Sequence, residues 1–240
     1  MNFIICDNYD EMSCEAAKII ENQLTKKADS ILGLATGSTP IGLYKELINK
    51  YRAGKISFEK VKTFNLDEYY PISKTNDQSY YYFMNDNLFS HVDIKKENTD
   101  IPNGEAKDAI KECEDYEKRI ALTDGVDIQI LGIGQNGHIG FNEPDDALIA
   151  NTHLTDLTQN TIEANSRFFN SIDDVPKSAL TMGIATIMKA KKIILLASGK
   201  NKNNAIKALL DDKLTPSVPA TMLKLHTDVT IICDKDAYEG

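Results

Sequence analysis

Six short runs of mostly branched apolar residues recur along this chain, at 2–6, 30–35, 61–66, 126–130, 192–197 and 229–233. Nearly every one stops at glycine, hydroxyl or charged residues. Runs of this length, bounded by turn formers, read as buried strands. Between them lie stretches with apolar residues at helical spacing. These include Met12, Ala16, Ile19, Ile20 and Leu24, then Leu43, Tyr44, Leu47, Ile48 and Tyr51, and later Ala109, Ile110, Cys113, Tyr116 and Ile120. Strands that alternate with helices pair in parallel through right-handed crossovers. The expected fold is therefore α/β: a single doubly wound, mostly parallel sheet with helices on both faces, Rossmann-like. No repeat, linker or shift in composition divides the chain, so 1–240 reads as one domain. Helices are also expected at 79–89, 105–122, 176–190 and 199–210, with a short one at 220–225. The mixed periodicity of 147–169 suggests a mobile segment, a lid around 150–175.

In open α/β sheets ligands bind beyond the carboxyl ends of the strands, so the residues there carry the functional information. The strand at 126–130 runs into LGIGQNGHIGFNEP, where Gly132, Gly134, Gly137 and Gly140 crowd around His138 and Glu143. Glycine costs conformational entropy on folding, and four in ten residues imply a backbone that turns at positive φ or approaches a ligand closely. The plain alternative is a glycine-rich connection with a solvated histidine. Gly132, Gly134 and Gly137 satisfy the spacing of a dinucleotide loop, but no convincing helix opens after Pro144 and no acid is clearly placed for a ribose.

The strand at 30–35 leads into Thr36, Gly37, Ser38, Thr39 and Pro40. Thr39 is a good helix cap and Pro40 suits a first helical position, so free amides and the positive helix end would gather there. That suits a phosphate, although an ordinary capped turn has the same sequence. The third strand delivers Asp67 and Glu68, which could equally be turn formers. Gly199, Lys200 and Lys202 follow the fifth. The aromatic residues at 80–89 read as core rather than as a platform for bases.

With 27 Lys and Arg against 36 Asp and Glu, the net charge of −9 offers no footprint for nucleic acid. No run approaches the roughly 18 apolar residues of a membrane span, and no signal segment is visible. Cys6, Cys14, Cys113 and Cys233 are scattered without zinc or redox spacing. A reduced, cytoplasmic protein without a metal or cofactor is expected.

Taken jointly, GLATGSTPIGLY (33–44), FNLDEYY (64–70), LGIGQNGHIGFNEP (131–144) and NSRFF (165–169) closely resemble glucosamine-6-phosphate deaminases. The resemblance implies conversion of glucosamine 6-phosphate and water to fructose 6-phosphate and ammonia, in amino-sugar catabolism. It implies that His138 moves a proton during ring opening, that Glu143 orients that imidazole, and that Asp67 takes the C2 proton and returns one at C1. Asn136 stands where some relatives have Asp, and would fix orientation rather than supply charge. Gly37, Ser38 and Thr39 would hold the phosphate, with Arg167 and Lys202 providing charge and Lys200 an alternative to Lys202.

Relatives activated by N-acetylglucosamine 6-phosphate carry basic residues where this chain has His153 and Thr155. The resemblance therefore implies hyperbolic kinetics, and a monomer or small homo-oligomer rather than a cooperative hexamer. Two rival readings are a 6-phosphogluconolactonase-like hydrolase and a non-catalytic sugar-phosphate sensor.

Overall fold

A computed structural model describes residues 1–240 apart from Arg167, Phe168 and Asn170 and the side chains of Asn160, Ala164 and Asn165. Ten strands occur among the described residues: β1 (Asn2–Cys6), β2 (Ile31–Leu34), β3 (Lys62–Asn65), β4 (Asp67–Tyr70), β5 (Thr99–Asp100), β6 (Ile128–Gly132), β7 (His153–Asp156), β8 (Ser178–Thr181), β9 (Lys192–Ala197) and β10 (Val229–Asp234). Seven form a parallel sheet in the order β1-β10-β9-β6-β2-β3-β5. Its centre is almost wholly apolar. Ile130, Leu131, Ile193, Ile194, Leu195, Ile231 and Ile232 are fully buried, as expected for strands covered on both faces.

Helices α1 (Tyr9–Lys26), α2 (Ile41–Arg52), α3 (Tyr80–Asn87), α4 (Ala109–Ala121), α5 (Gln159–Ser166), α6 (Ile184–Met188), α7 (Asn203–Leu210) and α8 (Lys235–Glu239) complete the chain. The connections β1-to-β2, β2-to-β3 and β3-to-β5 progress in one direction across the sheet, whereas β6-to-β9 and β9-to-β10 progress in the other. Right-handed crossovers then place α1, α2 and α3 on one face and α6 and α7 on the opposite one. This is the doubly wound α/β arrangement that the sequence implied.

The first helix forms where the spacing put it. Asn8 caps α1 by accepting from the Glu11 amide at 2.9 Å, and the helix buries Met12, Ala16, Ala17, Ile20 and Leu24. Burying each of the larger side chains contributes roughly 1.5–3 kcal/mol.

The strand–helix alternation did not reveal a second sheet, antiparallel and three-stranded, in the order β4-β8-β7. Its central strand lies inside 176–190, where a continuous helix was expected; Ser178–Thr181 is strand and only Ile184–Met188 is helical. Pairing with β4 on one side and β7 on the other outweighs the helical propensity of SALTMG. The expected 147–169 segment resolves into β7 and α5, and the helix expected at 105–122 begins at Ala109, capped by Asp108.

Candidate active site

The direction of winding reverses between β2 and β6, which are neighbours in the sheet. Helices on opposite faces diverge there and leave a crevice beyond the carboxyl ends, the position at which ligands bind such sheets. The turn after β2 carries Gly37, Ser38 and Thr39, and the loop after β6 carries Asn136, His138 and Glu143. Asp67 follows β3, the other neighbour of β2.

The loop after β6 is held by its own backbone: the Gly134 amide donates to the His138 carbonyl at 2.9 Å and the Gly137 amide to the Gly134 carbonyl at 3.1 Å. The His138 ring lies against Gly134, so closely that a methyl group there would sit 2.4 Å from Nδ1 and Cε1. Glycine at 134 is thus required by close packing rather than by backbone angle. Nδ1 is sealed from water and lies 3.3 Å from Oε2 of Glu143, in charge-pair range but off the line of a good hydrogen bond.

Asn136 bridges the pair. Its Nδ2 donates to Oε2 of Glu143 at 2.7 Å and its Oδ1 accepts from the His138 amide at 3.2 Å. The other carboxylate oxygen, Oε1, accepts from Thr161 Oγ1 at 2.5 Å. Burial works to raise the Glu143 carboxyl, but His138, Thr161 and Asn136 together outweigh it and hold the group down at about 2. Glu143 is therefore a fixed negative charge beside the imidazole.

Asp67 belongs to the second sheet, not to the end of β3. One residue, Leu66, separates the strands, and its amide donates to the Leu34 carbonyl at 3.0 Å while its own carbonyl accepts from Met182 at 2.7 Å. That double anchor turns the chain from one sheet into the other. In register Asp67 faces Thr181, whose hydroxyl accepts from the Phe141 amide at 3.1 Å. A side chain at Gly140 would meet Asp67 Oδ2 at 3.5 Å. Thr181 thus neighbours Asp67 in the sheet and holds the loop that follows His138.

Asp67 is 6% exposed, and no described group donates a hydrogen bond to its carboxylate. Burial, reinforced by the nearby Glu68, pushes its pKa up to about 8. Tyr69, Tyr80 and Phe141 form an aromatic wall on this side, with ring centres 4.8–6.1 Å apart. The expectation that the 80–89 aromatics are core residues holds for Tyr80, Met84's neighbour Phe83 and Phe89, which pack on buried clusters.

Glu68, read as a turn former, instead accepts from the amides of Tyr69, Tyr80 and Tyr81 at 2.8–2.9 Å. It ties Asp67's strand to the start of α3. Burial raises its pKa to about 7 against those three donors. Ser79 completes the same helix start by accepting from the Tyr82 amide at 3.0 Å.

The turn after β2 differs in one respect from the capped turn expected. Pro40, not Thr39, occupies the cap position and no side chain of the turn bonds the helix. The cap comes from α1: the Tyr9 hydroxyl accepts from the Gly42 amide at 2.7 Å and lies 3.1 Å from the carbonyls of Ser38 and Thr39. Gly37 has φ +95°, a conformation that disfavours any side chain, and Gly37 and Ser38 are exposed. The turn is shaped from behind while its outer side stays open.

Lys202 ends the turn after β9 and is half-buried, whereas Lys200 is exposed. Buried Asp234 anchors that turn through Ser198 and the Gly199 amide. Arg167 lies outside the described residues. Among the described residues no cluster of three or more His, Cys, Asp or Glu is arranged to hold a metal, and no helix is long and apolar enough to cross a membrane.

Comparison with known proteins gives one answer. The chain is 57% identical to a glucosamine-6-phosphate deaminase of Thermoanaerobacter pseudethanolicus, over 99% of its own length and 94% of the relative's. It is 56% identical to one of Clostridium novyi, with 99% and 98% covered. A solved monomeric glucosamine-6-phosphate deaminase superposes with a TM-score of 0.96 at 46% identity, covering 99% and 98% of the two chains. The 6-phosphogluconolactonase of Thermotoga maritima matches at TM-score 0.75 but only 23% identity, over 97% of this chain and 98% of that one, and shares the fold. Residues 8–232 match the family described as glucosamine-6-phosphate isomerases/6-phosphogluconolactonase, and with identities of this size the chain belongs to that family.

Proposed function

We propose that this protein is an enzyme that converts glucosamine 6-phosphate and water to fructose 6-phosphate and ammonia. The observation that carries the reading is the juxtaposition of a buried Asp67, to which no described group donates, with the His138–Glu143 pair at the switch point of the sheet. The close sequence relatives supply the substrate. Buried carboxylates of raised proton affinity cluster at catalytic sites because a base works best when its pKa lies near the operating pH.

The reaction follows from these groups. His138 accepts the proton of the anomeric hydroxyl and passes one to the ring oxygen, opening the sugar to its aldehyde form; Glu143, held negative, stabilises the imidazolium between the two transfers. Asp67 then removes the C2 proton, giving an enolamine, and returns a proton at C1, giving the ketimine. Water adds to C2 of the ketimine and ammonia leaves, so that atoms balance. The ammonium of the bound substrate, next to Asp67, favours the ionised carboxylate that the empty site disfavours. Binding thereby generates the base where it is used.

Gly37, Ser38 and Thr39 would receive the phosphate, with Arg167 and Lys202 supplying charge. The open side of the Gly37 turn and the anchored turn before Lys202 support this assignment. The 150–175 segment would serve as a lid, since Thr161 of α5 reaches Glu143. The protein would act as a monomer in the cytoplasm. The solved relative's monomeric state and the four free cysteines, three of them buried, favour this, and a homo-oligomer finds no support there.

The test is proton exchange at C2. In heavy water the parent exchanges or transfers the C2 proton of glucosamine 6-phosphate, and Asp67→Asn binds the sugar but leaves that proton in place. Exchange by the variant at the parent rate would remove Asp67 from the mechanism.

A further inference from the structure

We infer that Thr161 is a positioning residue for the acid–base pair, its hydroxyl fixing the Glu143 carboxylate against His138 from the start of α5. The inference rests on the reading of His138 and Glu143 given above. Thr161 is 8% exposed and its Oγ1 lies 2.5 Å from Oε1 of Glu143. The carboxylate has two oxygens with different duties: Oε2 meets Asn136 and His138, while Oε1 meets hydroxyls of α5 alone. Without the Oε1 partner the carboxylate is free to rotate about its final bond, and Oε2 loses its fixed place beside the imidazole.

Thr161 is itself oriented. Thr158 caps α5, its carbonyl accepting from the Ile162 amide at 3.0 Å and its hydroxyl from the Thr161 amide at 3.3 Å. The two hydroxyls lie 3.1 Å apart, and Thr158 Oγ1 is 3.4 Å from Oε1, at the limit of a hydrogen bond. The Glu143 carboxylate therefore sits at the positive end of an eight-residue helix, where negative charge is favoured. On its remaining sides the pair faces the uncharged Asn136 and Gly134; Glu143 is the only carboxylate within 4 Å of the His138 ring nitrogens among the described residues, with Asp67 beyond Gly140.

Removing the Thr161 donor frees the carboxylate to turn, so Oε2 should leave its place beside Nδ1 and the surroundings of the His138 ring should change. The test compares the full-length parent with Thr161→Val, which keeps shape and loses the hydroxyl, and Thr161→Ser, which keeps the hydroxyl. Two readouts are used: the NMR chemical shifts of the His138 ring at one fixed pH, and kcat and KM for ammonia release from glucosamine 6-phosphate. In Thr161→Val the His138 ring resonances should move from their parental positions. Its kcat should fall about tenfold or more, at nearly unchanged KM, as expected for loss of a hydrogen bond to a charged group. Thr161→Ser should restore both.

Unchanged ring resonances and kcat in the valine variant would overturn the inference, as would equal losses in the serine and valine variants, which would show that the hydroxyl alone does not carry the effect. The ring resonances are read without turnover. A parent that releases no ammonia, with a valine variant whose His138 still shifts, would therefore refute the proposed reaction while leaving the role of Thr161 standing.

Discussion

Replacing Asp67 by Asn should make the protein more stable at neutral pH while it abolishes turnover, because the fold holds this carboxylate against its own ionisation. The carboxyl titrates at about 8 in the folded chain against an ordinary value of 3.8. A raised folded pKa contributes stability at low pH that is lost as pH rises, since the native state then binds a proton that the unfolded chain has released. Between about pH 4 and pH 8 the parent should lose stability and the Asn variant should not lose this part. At pH 7 the gap spans about three pH units, a ceiling of roughly 4 kcal/mol at 1.36 kcal/mol per unit. Relaxation and water entry around a buried charge reduce such figures, so about 2 kcal/mol is expected.

For a chain of this size that corresponds to a melting temperature higher by about 4–8 °C. Glu68 also titrates at about 7, but it does so in both proteins, and the difference between their pH profiles isolates Asp67. The assay is urea unfolding of parent and variant at half-unit steps from pH 5 to pH 9. The gap should widen up to about pH 8 and then level. Parallel curves, or a variant less stable than the parent at pH 8, would refute the claim that Asp67 is held in a desolvated, donor-free site.

Three further outcomes follow from the geometry. Gly134→Ala should displace the His138 ring, which a new methyl group would meet at 2.4 Å, and lower kcat by tenfold or more, roughly the 1.4 kcal/mol that a misplaced catalytic group forfeits; a variant with parental kcat would mean that the ring position does not matter. Extended dialysis against EDTA should leave turnover unchanged, and loss of activity restored by one added metal would show that the acid–base groups are not sufficient. Substrate saturation should be hyperbolic and insensitive to millimolar N-acetylglucosamine 6-phosphate: His153 is kept neutral by burial, which lowers its pKa despite its contact with the Asn151 carbonyl, and Thr155 has no charge for an effector phosphate. A sigmoidal curve straightened by that compound would reveal a second site.

The parallel sheet was legible because its strands are long apolar runs, and because the residues that end them are the wrong chemistry for a core. Asp67, His138 and the Gly37 turn could each be placed at a strand end from sequence. What could not be read was the second sheet. Its strands DEYY, HLTD and SALT are four residues each, mix polar and apolar side chains, and gain their identity only by pairing, the first of them with a strand more than a hundred positions away in sequence. Asp67 was consequently read as the end of the third strand, and its place at the head of a strand in the second sheet was missed. Thr161 and Tyr9 were invisible for a similar reason: each acts on a loop far away in sequence, through a single hydroxyl. Glu68 was discounted because acids after strands are common in turns, and only the approach of α3 shows what it binds.

The central claim, that this site deaminates an amino-sugar phosphate, is tested most directly by incubating the purified protein separately with glucosamine 6-phosphate and with 6-phosphogluconolactone. Ammonia and fructose 6-phosphate should appear in equal amounts from the first, at a rate that Asp67→Asn removes, and lactone hydrolysis should stay at its uncatalysed rate. Rapid lactone hydrolysis without ammonia release would contradict the account and assign the same crevice to the hydrolases that share its fold.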